Sequence, residues 1–289
     1  MITLLDRTKM KFGMHTESWG WRKATPDVFP LILDEFAKVG FDGFETHDVD
    51  VIQYLKNEDK FLELLSEKGL QLASVHLSGV TPATEGFHPL NWFNSKLWRT
   101  RWIPKILKFA SSVGSELPVR VVIVGGFRRA EGPKKADFVN TAKILNKWGK
   151  ICKDINVEAS YHPFYFNQLI SNKEELAKLC KLLDPGLVRL TLDIGHCTRC
   201  GCDPIELIQS YKDWIDHIHF RDISKDGILV QLGEGIIDLK NIYKSLKSIG
   251  YNGWVIVEHD WVLIERAKTT AVESTRKAGA FIKNLKTVA

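Results

Sequence analysis

Short apolar segments alternate with amphipathic helical segments along most of this 289-residue chain. The first helical segment carries apolar residues at helical spacing, at Phe29, Ile32, Leu33 and Phe36, and Gly40 follows it. A glycine at this point is typical of a helix C-terminus, because it adopts the left-handed conformation without strain. Strands that alternate with helices can pair only in parallel, with the helices packed outside the sheet. The pattern therefore predicts an α/β fold.

The alternation gives eight strand–helix units. The predicted strands lie in KFGMH, FDGFETH, LQLASVHLSG, PVRVVIVGG, NVEASYHPF, VRLTLDIGH, WIDHIHFRDI and WVIVEHD. The predicted helices begin at Thr25 or Pro26 and then cover about 55–68, 99–113, 136–151, 173–183, 204–211, 239–249 and 272–285. Neither a long linker nor a repeat break interrupts them. We therefore expect a single (β/α)8 TIM barrel that includes residues 1–289.

The charge pattern excludes some classes of function. The formal net charge is only +5, and the basic residues are scattered apart from Arg128–Arg129 and Lys134–Lys135, which argues against a nucleic-acid partner. No apolar run approaches the roughly 20 residues of a membrane span, and the start of the chain lacks a signal-peptide core. We expect a cytoplasmic protein with no membrane partner. The oligomeric state stays open, a homo-oligomer included.

Three of the five cysteines form a CTRCGC cluster at Cys197, Cys200 and Cys202. Such a cluster suggests a structural zinc site, but that kind of site usually takes four ligands. No cysteine pair of matching spacing occurs elsewhere. A reduced loop is the better interpretation.

Polar, titratable residues end three successive strands in the region 188–260. Asp193 and His196 follow one strand, His219 and Arg221 end the next, and Glu258 ends the last. Residues two apart on a strand share a face, and the C-terminal strand ends of a barrel converge. Two carboxylates and a histidine that meet there favour a cation between them, because buried like charges repel. This mixed set suits one divalent ion, either Mn²⁺, Mg²⁺, Co²⁺ or Zn²⁺.

Other residues near the strand ends are candidates for substrate binding. His15 and His76 each end a predicted strand, and Trp19 follows the first strand together with Trp21. Indole rings stack well on sugar rings. The loop 80–98, rich in Pro, Phe and Trp, is a candidate lid over the same end of the barrel.

The motifs LDIGH, HIHFRD, LGEGIID and IGYNGWVIVEHD together resemble the xylose isomerase-like TIM-barrel superfamily of sugar isomerases, epimerases and dehydratases. The C-terminal third is most similar to the inosose dehydratase-like branch. The resemblance implies one divalent ion held by Asp193, His219 and Glu258, with His196 and Arg221 next to a small sugar or cyclitol substrate. Enzymes of this kind use the ion to polarise a carbonyl group.

Strand five departs from the epimerase pattern. Epimerases of the superfamily have a glutamate there that is both ligand and base, and Ser160 stands in that slot. Glu158, Ser160 and His162 share a face by parity, so either Glu158 or His162 could be the fourth ligand or act in catalysis.

The expected reaction starts with removal of a proton α to a carbonyl group, by Glu258 or by the strand-five residue. Return of that proton gives isomerisation or epimerisation, which is the interpretation that the sequence favours. Loss of a β-oxygen gives a dehydratase or lyase, with His162 as the acid, and this is the close alternative. An abasic-site endonuclease is disfavoured because strand four ends in VGGFRR without a histidine. A non-catalytic sugar-binding barrel is a further alternative.

Overall fold

Eight parallel strands form a closed barrel in the computed structural model. The structure describes residues 9–20, 25–77, 102–114, 118–124, 128–164 and 168–288. The barrel strands are β1 (Lys11–His15), β2 (Gly43–His47), β3 (Gln71–Leu77), β4 (Arg120–Val124), β5 (Glu158–His162), β6 (Arg189–Asp193), β7 (Ile215–Phe220) and β10 (Trp254–Val257). Each strand pairs with its neighbours in chain order, and β10 pairs with β1, which closes the barrel. The predicted TIM barrel is confirmed.

Helices lie between the strands, as the alternation predicts. The main helices are Phe29–Val39, Glu58–Lys68, Ile103–Val113, Lys135–Asp154, Lys173–Cys180, Pro204–Ser210, Leu239–Ser248 and Ala271–Val288. The first helix begins at Phe29 rather than at Thr25 or Pro26, and Pro30 lies in its first turn, where its missing N–H costs nothing. Among the described residues, no helix combines the length and the apolar content that a membrane span requires.

Four short helical segments and a hairpin were not predicted. The chain turns into helices at Thr16–Trp19, Asp48–Val51 with Ile52–Tyr54, Ile194–Arg199 and Trp261–Arg266. Strands β8 (Asp222–Ile223) and β9 (Leu229–Val230) form an antiparallel hairpin directly after β7. Most of these segments follow the C-terminal ends of barrel strands, so they surround one mouth of the barrel. The expected lid at 80–98 and Trp21 lie outside the described residues.

An apolar layer between the strands and the helices holds the barrel together. Phe29, Phe44 and Phe61 are fully buried there and contact one another through their rings. Burial of an aromatic side chain of this size stabilises a fold by roughly 1.5–3 kcal/mol. The outward-facing residues of the strands and the buried faces of the helices therefore supply the core together.

The inward face of the barrel is polar over much of its length. A typical TIM-barrel interior is filled by branched aliphatic side chains. Here the buried interior includes Glu45, Ser74, Arg120, Ser160, Thr191 and His217. These groups are hydrogen-bonded to one another, as in the bond from Thr191 Oγ1 to Ser160 Oγ (2.7 Å). The barrel thus carries a polar network below its C-terminal mouth.

Candidate active site

The C-terminal strand ends bring Asp193, His219 and Glu258 together. Asp193 on β6 stands opposite His219 on β7 in the strand register, and Glu258 directly follows β10. His219 Nδ1 lies 2.6 Å from Glu258 Oε2 and 3.9 Å from Asp193 Oδ2. All three side chains are buried. We call these three residues, together with His162, His196 and Arg221, the strand-end cluster.

Asp193 is the centre of the cluster. His162 Nε2 lies 3.7 Å from Asp193 Oδ2, His196 Nε2 lies 3.6 Å from it, and Arg221 Nε lies 2.8 Å from it. Arg221 also forms an ion pair with Glu258 through Nη2. Six of the residues that the sequence indicated therefore converge on one point.

The local chain geometry directs one oxygen of Asp193 into the cluster. Asp193 caps the helix Ile194–Arg199, because its Oδ1 accepts a hydrogen bond from the His196 N–H (2.7 Å). The other oxygen, Oδ2, is left facing the histidines. Gly195 makes room for this packing, since a Cβ there would lie 3.0 Å from Arg221 Cβ. The LDIGH motif thus encodes both a helix start and the direction in which Asp193 Oδ2 points.

The electrostatics of the cluster keep its carboxylates ionised. Burial alone would raise the pKa of Asp193, but the nearby His196 and Arg221 outweigh it, and the pKa lies below its usual range. Burial is likewise outweighed at Glu258, where Arg221 and His219 hold the pKa well below its usual range. Burial lowers the pKa of His196 to about 3, so this imidazole is neutral at physiological pH. The cluster therefore offers ionised oxygens and a neutral nitrogen.

The donor set fits a divalent cation. Asp193 Oδ2, Glu258 Oε2 and His219 Nδ1 are buried, and none has a hydrogen bond of acceptable geometry among the described residues, although ion-pair partners are near. Ligand atoms of His162, Asp193 and His219 all lie within 4.8 Å of one another. Buried polar atoms without hydrogen bonds are costly unless another group satisfies them. Oxygen and imidazole ligands suit Mn²⁺, Mg²⁺, Co²⁺ and Zn²⁺.

Glu158 does not join the cluster, which corrects its expected role as ligand or base. It is the first residue of β5, at the opposite end of the barrel, and its side chain is 45% exposed. Its partner is Arg120, which also contacts Asp216 at 2.9 Å. His162, at the C-terminal end of the same strand, is the strand-five residue that reaches the cluster. Parity alone could not separate the two positions, because both face inward.

Three further histidines form a second row beside the cluster. His15 and His76, both expected to bind substrate, lie with His47, and the rings of His47 and His76 are stacked with centroids 5.2 Å apart. Burial and the neighbouring His47 lower the pKa of His15 to about 4. Trp19 is half-buried in the short helix after β1 and packs against the apolar core. The histidines reach the mouth of the barrel, and Trp19 lies near its wall.

Sequence reasoning assigned no site role to Glu45 or to His217. Glu45 is fully buried on β2, and its Oε1 lies 3.0 Å from His219 Nε2. His217 Nε2 lies 2.7 Å from Glu45 Oε2. The available signal was parity: Glu45 lies two residues before His47, and His217 lies two residues before His219.

No cysteine belongs to the candidate metal groups found among the described residues. All five cysteines are free thiols, and the candidate metal groups contain only His, Asp and Glu. Burial raises the pKa of Cys197, so its thiol stays protonated.

Comparison with known proteins decides the family. Residues 33–285 match the family model described as "Xylose isomerase-like TIM barrel". The chain belongs to this xylose isomerase-like family. The match includes all six residues of the strand-end cluster, which lie between His162 and Glu258.

Among curated relatives, the inosose dehydratase of Clostridium tetani is 31% identical over 305 aligned positions, which cover 96% of this chain and 98% of that protein. The inosose dehydratase of Geobacillus kaustophilus is 33% identical over 132 residues, and that alignment covers 39% of this chain and 42% of the relative. The similarity to the first relative thus extends over the whole barrel.

Solved structures share the xylose isomerase-like fold at lower sequence identity. A D-tagatose 3-epimerase-like protein has a TM-score of 0.71 and 21% identity, with 96% of this chain and 98% of that chain covered. A 3-keto-D-glucoside 4-epimerase from E. coli has a TM-score of 0.71 and 17% identity, with 96% and 100% covered. Similarity at this level of identity supports the fold.

Proposed function

We propose that this protein is a divalent-metal-dependent dehydratase that removes water from a keto cyclitol or a keto sugar. The observation that carries the proposal is the identity of the strand-five residue in the cluster. It is His162, so β5 brings an imidazole to the cluster and not the second carboxylate that a base facing Glu258 would require. An epimerase that works from both faces of its substrate needs a base on each face. The full-length similarity to an inosose dehydratase supports the same choice.

Four side chains would hold the ion: Asp193, His219, Glu258 and His162. When bound, the ion would supply Lewis-acid polarisation of the substrate carbonyl group. The ligand set has two carboxylates and two imidazoles, so it neutralises the ion's charge within a buried site. The sequence left the choice of the fourth ligand open between Glu158 and His162, and in this proposal the fourth ligand is His162.

Glu258 carries out the proton transfers, and its neighbours position the reacting groups. Glu258 removes the proton from the carbon α to the carbonyl group, and the electrons of that C–H bond form the new C=C bond. The β-carbon loses its hydroxyl group, which takes the proton that Glu258 accepted and leaves as water, while the neutral imidazole of His196 contacts the substrate. Arg221 holds Glu258 in place through their ion pair. His76 orients the remaining hydroxyl groups of the ring, whereas the two ring nitrogens of His15 face the Glu17 N–H and Glu45.

Isomerisation or epimerisation, which the sequence favours, begins with the same removal of an α-proton. The two reactions differ only in the fate of that proton and of the β-hydroxyl group. The experiment must therefore separate proton exchange from loss of water.

The test combines metal analysis with a reaction in D₂O. Wild-type protein loaded with Mn²⁺, and the variants Asp193→Ala and Glu258→Ala, would be incubated with an inosose and with a set of keto sugars. We expect about one equivalent of bound metal in the wild type, loss of metal in both variants, and a dehydrated, ultraviolet-absorbing enone from the wild type alone.

Two other outcomes of this experiment would indicate a different function. Deuterium at the α-carbon together with an epimer or isomer, and without loss of water, would favour the isomerase or epimerase. Wild-type protein that binds no divalent ion would overturn the proposal and favour a non-catalytic sugar-binding barrel.

A further inference from the structure

Glu45 is a fully buried carboxylate directly below the strand-end cluster. Its Oε1 lies 3.0 Å from His219 Nε2, on the side of the ring opposite to Asp193 and Glu258. Both atoms are buried, and among the described residues neither has a hydrogen bond of acceptable geometry, so each faces the other as a close contact. Glu45 is thus placed to decide which nitrogen of His219 faces the cluster.

The second oxygen of Glu45 is fixed by donors from below. Arg120 Nη1 lies 3.4 Å from His217 Nδ1, and because arginine can only donate, this nitrogen carries a lone pair. The proton of neutral His217 is therefore on Nε2, which donates to Glu45 Oε2 at 2.7 Å. Ser74 Oγ donates to the same oxygen. A buried carboxylate that accepts two such bonds is held ionised and in one rotamer.

His15 has its tautomer fixed in the same way. Its Nδ1 accepts a hydrogen bond from the Glu17 N–H (2.9 Å), so the ring proton is on Nε2. That nitrogen lies 3.3 Å from Glu45 Oε1. His15 therefore faces Glu45 with a donor, which argues against a second cation site among His15, His47 and His76 through this nitrogen.

We propose that Glu45 is a positioning residue that holds the Nε2–H of His219 and thereby presents the Nδ1 lone pair to the metal. The inference rests on the proposed function, because it assumes that the cluster binds a divalent ion. Carboxylates that accept from the far nitrogen of a metal-binding histidine fix its ring and increase its basicity. Glu45 is not itself a ligand, since Ser74 and His217 already occupy one oxygen and the histidine donors face the other.

The first test measures Co²⁺ binding and its visible absorption spectrum in wild type, Glu45→Gln and Glu45→Asp. Glu175→Gln is the matched control, because Glu175 is also a buried, hydrogen-bonded carboxylate but lies on the helix Lys173–Cys180, where it binds Arg128. We expect Glu45→Gln to bind Co²⁺ about 10- to 100-fold more weakly with an altered spectrum. Glu45→Asp keeps the charge and loses less affinity, and the control binds as the wild type does.

A second measurement needs no variant of Glu45, so it does not depend on the stability of such a variant. Protein labelled with ¹⁵N-histidine and loaded with ¹¹³Cd²⁺ shows by scalar coupling which imidazole nitrogen binds the metal. We expect coupling to Nδ1 of His219 and a proton on its Nε2, with the signals assigned by comparison with His162→Gln.

The inference and the proposed function fail in different ways. Coupling to Nε2 of His219, or unchanged Co²⁺ affinity in Glu45→Gln, would overturn the role of Glu45 while the metal site stands. A wild type that binds neither Co²⁺ nor Cd²⁺ would overturn both. If the dehydration rate of Glu45→Gln is proportional to the amount of metal that this variant binds, the positioning role is supported.

Discussion

Glu158 and His162 lie four residues apart on β5 and face the same side of the strand, yet they belong to opposite mouths of the barrel. Glu158 is bound to Arg120 at one mouth, and His162 lies 3.7 Å from Asp193 at the other. Two substitutions of similar size can therefore separate the structural role of the strand from its chemical role.

We predict that His162→Gln weakens Mn²⁺ binding by at least about tenfold and lowers kcat/KM in parallel, because it removes a ligand of the proposed site. Glu158→Gln is the control and should change both quantities by less than about twofold. Isothermal titration with Mn²⁺ and steady-state kinetics measure the two effects. Equal behaviour of the two variants would remove His162 from the ligand set.

Metal should stabilise the fold as well as support catalysis. A ligand that binds only the folded state at 100 times its Kd adds about 2.7 kcal/mol to the free energy of unfolding. For a chain of this size we expect Tm to rise by roughly 5 °C when Mn²⁺ is added to chelator-treated protein. Asp193→Asn keeps an oxygen to cap the following helix but loses the charge, so its Tm should not respond. An equal rise in Asp193→Asn would place the ion elsewhere.

The hairpin after β7 should depend on Asp222. This buried carboxylate accepts hydrogen bonds from the backbone N–H groups of Ile223, Gly233, Gly235 and Ile237, at 2.9–3.2 Å. Asp222→Ala leaves these donors without a protein acceptor, and we expect a loss of about 2–4 kcal/mol in urea unfolding. Asp226→Asn, in the exposed turn of the same hairpin, should change the free energy of unfolding by less than about 0.5 kcal/mol. Similar losses in both variants would contradict this account.

The opposite mouth of the barrel should show a pH-dependent stability. Burial raises the pKa of Asp216 to about 6, although Arg120 opposes the rise. Because the folded state then binds a proton that the unfolded state has released, the stabilising contribution of Asp216 is present at about pH 4 and is lost as the pH rises through 6.

We therefore predict that wild type loses stability relative to Asp216→Asn between pH 4 and pH 7. The full shift corresponds to about 3 kcal/mol, and we expect about 1–2 kcal/mol because the side chain is 18% exposed to screening solvent. Urea unfolding at both pH values measures the difference. Asp213→Asn, an exposed neighbour, should track the wild type, and a wild type that gains stability relative to Asp216→Asn would reverse the sign of this argument.

Local patterns sufficed to predict the barrel and the convergence of Asp193, His219 and Glu258. Each of these residues ends an apolar run, and the C-terminal ends of parallel strands meet at one mouth. The register of β5 could not be read in this way, because Glu158, Ser160 and His162 are all polar and share one face. Pairing with β4 settles it, since Arg120 stands opposite Glu158 and Val124 stands opposite His162. Such pairing depends on residues distant in sequence.

Parity with His47 indicates that Glu45 faces inward, but the partners of Glu45 could not be predicted from the sequence, for a related cause. The pairing of β2 with β3 shifts between Phe44 and Glu45, which places Glu45 opposite Ser74. Its contact with His217 joins residues 172 positions apart. Neither the shift nor the contact leaves a local signal in the GFE motif.

The buried chain of side chains from Arg120 through His217 and Glu45 to His219 has a consequence for protein engineering. Loops are the usual parts exchanged when a barrel is given a new substrate. In the site that we propose, the inner walls of β2, β4 and β7 also orient His219. A transplant of this chemistry into a barrel with an aliphatic interior must therefore carry the inner walls along with the rim, because a rim alone would leave His219 free to turn.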